Sequence, residues 1–123
     1  MLNIEDINIA DSEIISTIKE KNKIIITCNS VYNLISHKYI DGIRITIKDW
    51  SDFKIKIFTS SQPFDVPSEK ILKENEVEEF EEFEIIQIIE KINNLLLLKG
   101  FSKNSGKWIE YLFENAVLEV MET

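Results

Sequence analysis

Catalysis by side chains needs a nucleophile beside a base, a pair of acids held at different pKa values, or a metal gripped by several ligands. This 123-residue chain offers one cysteine, Cys28, and one histidine, His37. A Cys28–His37 dyad is poorly supported, because Cys28 follows the apolar run Ile24 to Ile26 and reads as a small core hydrophobe, while His37 stands beside Lys38 in a loop. Gly100 to Lys107 has the outline of a phosphate-binding loop. It carries five residues between its glycines instead of four, and Trp108 where a magnesium-binding Ser or Thr belongs, so it reads as a turn. No catalytic residue, metal ligand or cofactor is expected.

Carboxylates are plentiful but badly arranged for catalysis. Residues 74–84, ENEVEEFEEFE, hold seven of the 22 acids and no base, leaving 15 acids against 14 bases elsewhere. Consecutive solvated glutamates share one environment, whereas an acid–base pair needs two, and an all-Glu run lacks the loop spacing of a calcium site. Three readings remain for this segment: a solvated charge run, an internal lid over the protein's own cations, and a docking surface for a basic macromolecule. Phe80 and Phe83 sit among the acids, a composition found in interface anchors and equally in segments pinned to a core.

The elements that position these residues follow from the bulk composition. A chain of this length with 44% hydrophobic residues fits a single domain, 1–123, with a core of its own. One cysteine excludes an internal disulfide, no signal-peptide pattern opens the chain, and no apolar run approaches membrane-spanning length. A cytoplasmic protein whose mature form starts near Met1 is expected. The net charge of −8 argues against direct nucleic-acid binding.

Period-two alternation is clearest from Ile43 to Phe58, where Ile43, Ile45, Ile47 and then Phe53, Ile55, Ile57 alternate with polar residues. Keeping both apolar sets on one face of a hairpin places Ile47 opposite Phe53 and Ile45 opposite Ile55, with Lys48 to Asp52 as the connection. Arg44, Lys48, Lys54 and Lys56 then form one basic stripe, the cations a lid would cover. Lys107 to Phe113 and Ala116 to Met121 read as a second hairpin turning at Glu114 and Asn115. Trp108, Glu110 and Leu112 face one way along it, and Ile109, Tyr111 and Phe113 the other.

Segments 12–20 and 85–92 keep helical spacing yet are rich in β-branched Ile with Asn-centred breaks, which favours strands. Residues 13–28 match 84–99 without gaps at Glu13/Glu84, Ile14/Ile85, Ile15/Ile86, Ile18/Ile89 and Asn22/Asn93. The chain thus reads as two similar β-meander halves, about 12–58 and 84–121, joined by a proline-bearing and acidic connection 59–83. The expected fold is mainly β: an antiparallel meander or partly closed barrel of about seven or eight strands, with room for one helix between 69 and 92, and α+β as the alternative.

The stretches EIIQIIEKINNLLLLKGFSKNSGKWIEYLFENAVLEV and IRITIKDWSDFKIKIF, with their meander patterning, GF…GKW turn and acidic balance, resemble the small β-rich immunity proteins encoded beside bacterial polymorphic and contact-dependent growth inhibition toxins. The resemblance implies a cytoplasmic protein that neutralises one cognate toxin domain, often a basic nuclease, by blocking its active or substrate-binding surface; a monomer is favoured, with the oligomeric state left open. On that reading Glu76, Glu78, Glu79, Glu81 and Glu82 meet the toxin's cations, with Phe80 and Phe83 as apolar anchors. The alternative is a structural accessory protein that oligomerises through exposed β edges.

Overall fold

In a computed structural model, which describes residues 2–59, 68–74 and 80–123, the chain is mainly β as expected. Among the described residues there is no α-helix, and a 3-10 turn covers Ile4–Asp6. The described residues form twelve strands: β1 Ile7–Asn8, β2 Ser12–Glu20, β3 Lys23–Cys28, β4 Val31–Asn33, β5 Lys38–Ile40, β6 Ile43–Lys48, β7 Asp52–Thr59, β8 Ser68–Lys73, β9 Phe83–Ile92, β10 Leu95–Ser102, β11 Trp108–Glu114 and β12 Val117–Glu122. Both ambiguous segments are therefore strands. The helix expected between 69 and 92 gives way to β8 and β9, with 75–79 outside the described residues. The count exceeds seven or eight chiefly because very short strands leave no periodic signal.

Nine strands make one antiparallel sheet in the order β12-β6-β3-β2-β9-β10-β11-β7-β8, and β1, β4 and β5 make a second, small one. The large sheet does not close into a barrel; it must double over. Were it flat, β11 and β12 would lie six strand spacings apart, roughly 29 Å at ~4.8 Å per strand. Glu114 and Val117, however, are joined by only Asn115 and Ala116, a reach of at most ~11 Å. The fold line is the β2–β9 junction, where two residue pairs alone connect the halves, Ser12 with Ile86 and Glu13 with Ile85. Register shifts interrupt β2 at Ile15 and β9 at Gln87, and such bulges bend a strand and sharpen its twist.

This arrangement corrects both expected hairpins. Strands β6 and β7 do not pair: β6 lies between β3 and β12, and β7 between β11 and β8. Ile47 sits opposite Ile24 and Leu118, and Phe53 opposite Phe113. Nor does β11 pair with β12. Each alternation was legible and each facing is as expected, since period two fixes which side chains turn inward but not which strand lies alongside. The basic stripe is divided as a result, with Arg44 and Lys48 on one half of the folded sheet and Lys54 and Lys56 on the other.

The strand order reads the same outward from the junction in both directions, β2-β3-β6 on one side and β9-β10-β11 on the other, each completed by the strand that leaves the opposite half. Asn22 and Asn93, aligned in sequence, both adopt positive φ at their hairpin turns (58° and 54°), a conformation Asn tolerates better than most residues. Asp49 (59°) and Asn115 (57°) do the same where the chain crosses between halves. Amide hydrogens of these residues bind back to the hairpin turns, Asp49 N to Asn22 O at 3.1 Å and Asn115 N to Asn94 O at 2.8 Å.

The core between the halves is isoleucine on one wall and largely aromatic on the other. Ile24, Ile26, Ile43, Ile45 and Ile47 are wholly buried, facing the buried Phe53, Tyr111 and Phe113 with Leu96, Leu98 and Ile109. Burial of each such side chain contributes about 1.5–3 kcal/mol before entropy is counted. Gly100 lets the bulged stretch of β9 come close, because a Cβ there would stand 2.1 Å from Ile85 O. Gly106 has open space but sits at φ +70°. Urea denaturation should therefore separate them: Gly100→Ala costing at or above the ~3 kcal/mol upper end of ordinary overpacking, and Gly106→Ala about 1–2 kcal/mol. The reverse ranking would mean that β9 does not approach β10 this closely.

Candidate functional site

The acidic segment is held on both flanks. At its start, Trp50 Nε1 donates to both carboxylate oxygens of Glu74, at 3.3 and 3.2 Å. Lys19 Nζ lies 4.0 Å from Glu74 and 5.5 Å above the Trp50 ring. Trp50 itself is buried in the β6–β7 crossover against Phe53 and Phe113. A carboxylate at the head of the acidic run is thus fixed to the core through one indole.

At its end the segment enters the core. Phe83 is only 2% exposed and stacks on Tyr111 with ring centroids 4.3 Å apart, while Phe80 is half-buried against Tyr111 and Phe53, at 5.4 and 6.3 Å. Tyr111 donates its hydroxyl to the Glu81 carbonyl. Ser102 Oγ donates to Glu81 Oε2 at 2.5 Å, and Lys103 N donates to Glu82 O at 2.9 Å. Ser102 is fully buried, and its Oγ also accepts from Asn104 N and Ser105 N, so one hydroxyl orders the loop after β10 and grips the acidic segment.

Of the seven residues expected to bind a partner, Glu76, Glu78 and Glu79 lie outside the described residues. Phe80, Glu81, Glu82 and Phe83 are brought together, but the two phenylalanines point inward. Phe83 is a core residue and so is not a surface anchor, while Phe80 packs half-buried against the core. The reason is the aromatic wall: Tyr111 and Phe53 offer both rings more apolar contact than solvent does. Sequence reasoning missed Ser102 and Tyr111 as the groups that hold the segment. The Ser102–Asn104–Ser105–Gly106 turn was a signal for the first, and nothing local marks the second.

The lid over a basic stripe fares differently. Lys48 is 2.8 Å from Glu119, which holds its ammonium above the ordinary lysine range, Lys56 is 3.0 Å from Glu69, and Lys54 is 3.4 Å from Asp52. These cations are already paired outside the segment. What residues 80–83 cover is the aromatic core.

The remaining chemical candidates sit on separate elements. Cys28 is wholly buried on β3, and burial pushes its thiol up to about 12, which keeps the thiolate nucleophile from forming near neutral pH. His37 lies in the exposed turn between β4 and β5, 3.5 Å from the Tyr32 hydroxyl. Gly100 belongs to β10, so the turn read at Gly100 to Lys107 shrinks to the residues after Ser102. Among the described residues no group of three or more His, Cys, Asp or Glu side chains is placed to hold a metal ion, and no helix is long and apolar enough to cross a membrane. Compared with protein-family models, curated proteins and solved structures, the chain matches none.

Burial, followed by the charges of Glu82 and Glu81, also raises the Tyr111 hydroxyl well above its usual value. Both groups keep their protons in the folded protein to a higher pH than in the unfolded chain. Stability is then full below the unfolded Cys value of 9.0 and falls as pH rises toward about 12, by about 1.4 kcal/mol per pH unit for each group in its window. Tyr111 adds its own fall above pH 10.0. Urea midpoints taken from pH 8 to 10 should drop for the natural protein, and Cys28→Ala should flatten the part of that slope nearest pH 9. An unchanged slope would place the alkaline sensitivity elsewhere.

Proposed function

We propose that this chain is an immunity-type protein that binds and neutralises a basic, cognate toxin domain, acting by stoichiometric occlusion without covalent chemistry. Carboxylates grouped on one segment imitate phosphates to a nucleic-acid-binding cleft and accelerate encounter with a cationic partner. The observation that carries this reading is the pairing of Lys48, Lys54 and Lys56 with Glu119, Asp52 and Glu69. Three of the four cations of the basic stripe, the internal competitor for the acidic run, are thus occupied among the described residues, Arg44 being the exception. The anchoring of Glu74 and of Phe80 to Phe83 supports it further, because held flanks limit the ordering that docking would otherwise require.

A second reading, assembly through open β edges, is favoured by the exposure of Ile71 on β8 and of Val117 and Met121 on β12. Those edges also carry Lys70, Lys73, Glu119 and Glu122, charges of the kind that guard an edge against pairing. Light scattering distinguishes the two, with a monomer expected.

The direct test uses a basic toxin domain, sought as the C-terminal domain of a protein encoded immediately upstream. Replacing Glu76, Glu78, Glu79, Glu81 and Glu82 by Gln should slow association about tenfold or more at low salt and flatten its salt dependence. An association rate and salt slope equal to those of the natural protein would remove the acidic segment from the interface. Protection of a host cell that survives all five substitutions would point the same way.

A further inference from the structure

Tight association needs apolar side chains that become buried at the interface, and of the segment's two phenylalanines Phe83 is buried in the core and Phe80 is half-buried against it. The largest exposures among the described apolar residues lie elsewhere. The β4–β5 hairpin carries Leu34 at 45% and Ile35 at 70% exposure in its turn, followed by Tyr39 at 72%. Turn tips are ordinarily built from Gly, Pro, Asn, Asp and Ser. Two adjacent large aliphatic residues at such a tip are an unusual surface.

We infer that the β4–β5 hairpin is the apolar anchor of the interface, docking Ile35 and Tyr39 into a pocket on a protein partner whose rim is arginine and lysine. This rests on the proposal of a cationic protein partner and names where it is gripped. The tip is ordered in advance. Asn33 Oδ1 accepts from Ile35 N at 2.8 Å and from Ser36 N at 3.1 Å, and Asn33 O accepts from His37 N at 2.9 Å. Leu34 N donates to Asp6 O at 2.8 Å, tying the turn to the N-terminal segment. Tyr39 rests edge-on against Tyr32 with centroids 5.2 Å apart, and the buried Val31 roots the hairpin in the core. Little conformational entropy is left to lose on docking.

Charge identifies the occupant. Tyr39 stands between two clefts, one including Asp11 and the other including Asp41 and Glu122. Glu5 and Asp6 adjoin β1, the neighbour of β4. None of these five carboxylates forms an ion pair among the described residues, and Lys38 is the cation on the hairpin itself. An acidic rim around an apolar tip complements a basic rim around an apolar pocket. It repels a second copy of the same face, an anionic lipid surface and nucleic acid alike.

The test selects a displayed random peptide library on the natural protein and measures the recovered peptides against variants. Recovered sequences should pair a large apolar residue with Arg or Lys, and should lose about 30-fold or more in affinity to Ile35→Ser/Tyr39→Ala, as interface hot spots do. Asp41→Asn/Glu122→Gln should weaken them less and reduce their salt dependence. Should the double variant prove unstable, Ile35→Lys alters the exposed tip alone and must give the same loss. Basic peptides that bind the hairpin variants normally but fail on the five-glutamine variant would overturn the hairpin assignment and leave the proposed function standing. Hairpin-dependent peptides without basic residues would instead overturn the cationic partner. A homodimer abolished by Ile35→Lys would overturn the assignment in favour of a second copy.

Discussion

Two residue pairs at the β2–β9 junction are all that make nine strands one sheet, and the geometry of the molecule follows from how little that junction constrains. With so narrow a seam, bulges in both strands can turn the halves toward each other. The short crossovers through Asp49 and Asn115 then have to hold the doubled sheet shut. They are stitched together: Ser51 N donates to Glu114 O at 2.9 Å, and Asn115 Nδ2 donates to Ser51 Oγ at 2.9 Å. Each half contributes one strand to the other, so neither half buries its inner face alone. Folding should accordingly be cooperative across the whole chain, with many contacts far apart in sequence, a topology that slows folding.

A doubled sheet leaves gaps on either side of its seam, and different parts of the chain fill them. On one side Ile7 and Ile9 lie beside Ile88 and Ile89, with Leu2 bridged to Val120. On the other, Phe83 and Glu82 lie beside Ile14 to Thr17, with Phe80 against Tyr111. The acidic segment is therefore first a piece of architecture. Phe80 and Phe83 finish the core at its end, and Glu74 is tied to Trp50 at its start.

Legibility in the sequence divides along the same physical line. Which residues turn inward was plain, because a strand exposed on one side alternates strictly: Ile43, Ile45, Ile47 and Phe53, Ile55 all fell on the core face. Which strand lies beside which was not, because a two-residue or three-residue connection serves a hairpin and a crossover between facing sheets equally well. The positive-φ Asp49 and Asn115 were visible as turn-formers but carry no mark of direction. The repeat at Asn22 and Asn93 did carry through to matching turns. For the candidate site, clustered charge was legible and the orientation of Phe80 and Phe83 was not, since it is set by Tyr111 and Ser102 from a distant strand and loop. The β4–β5 tip escaped notice because strands of three residues give no period to read.

Charge and apolar contact need not share one surface, because they act over different ranges. Electrostatic attraction reaches about a Debye length, ~8 Å at physiological salt, beyond any contact, and sets encounter rates. Apolar anchoring acts at van der Waals distance and sets lifetimes. On the proposed reading, carboxylates of the acidic segment raise the local density of a cationic partner, while the β4–β5 hairpin would supply residence time with its own nearer acids. Committing Phe83 to the core, with Phe80 half-buried against it, costs such a protein little if Ile35 and Tyr39 do the gripping. An Ile and a Tyr held open to water by a capped turn gain their full burial free energy only when something covers them.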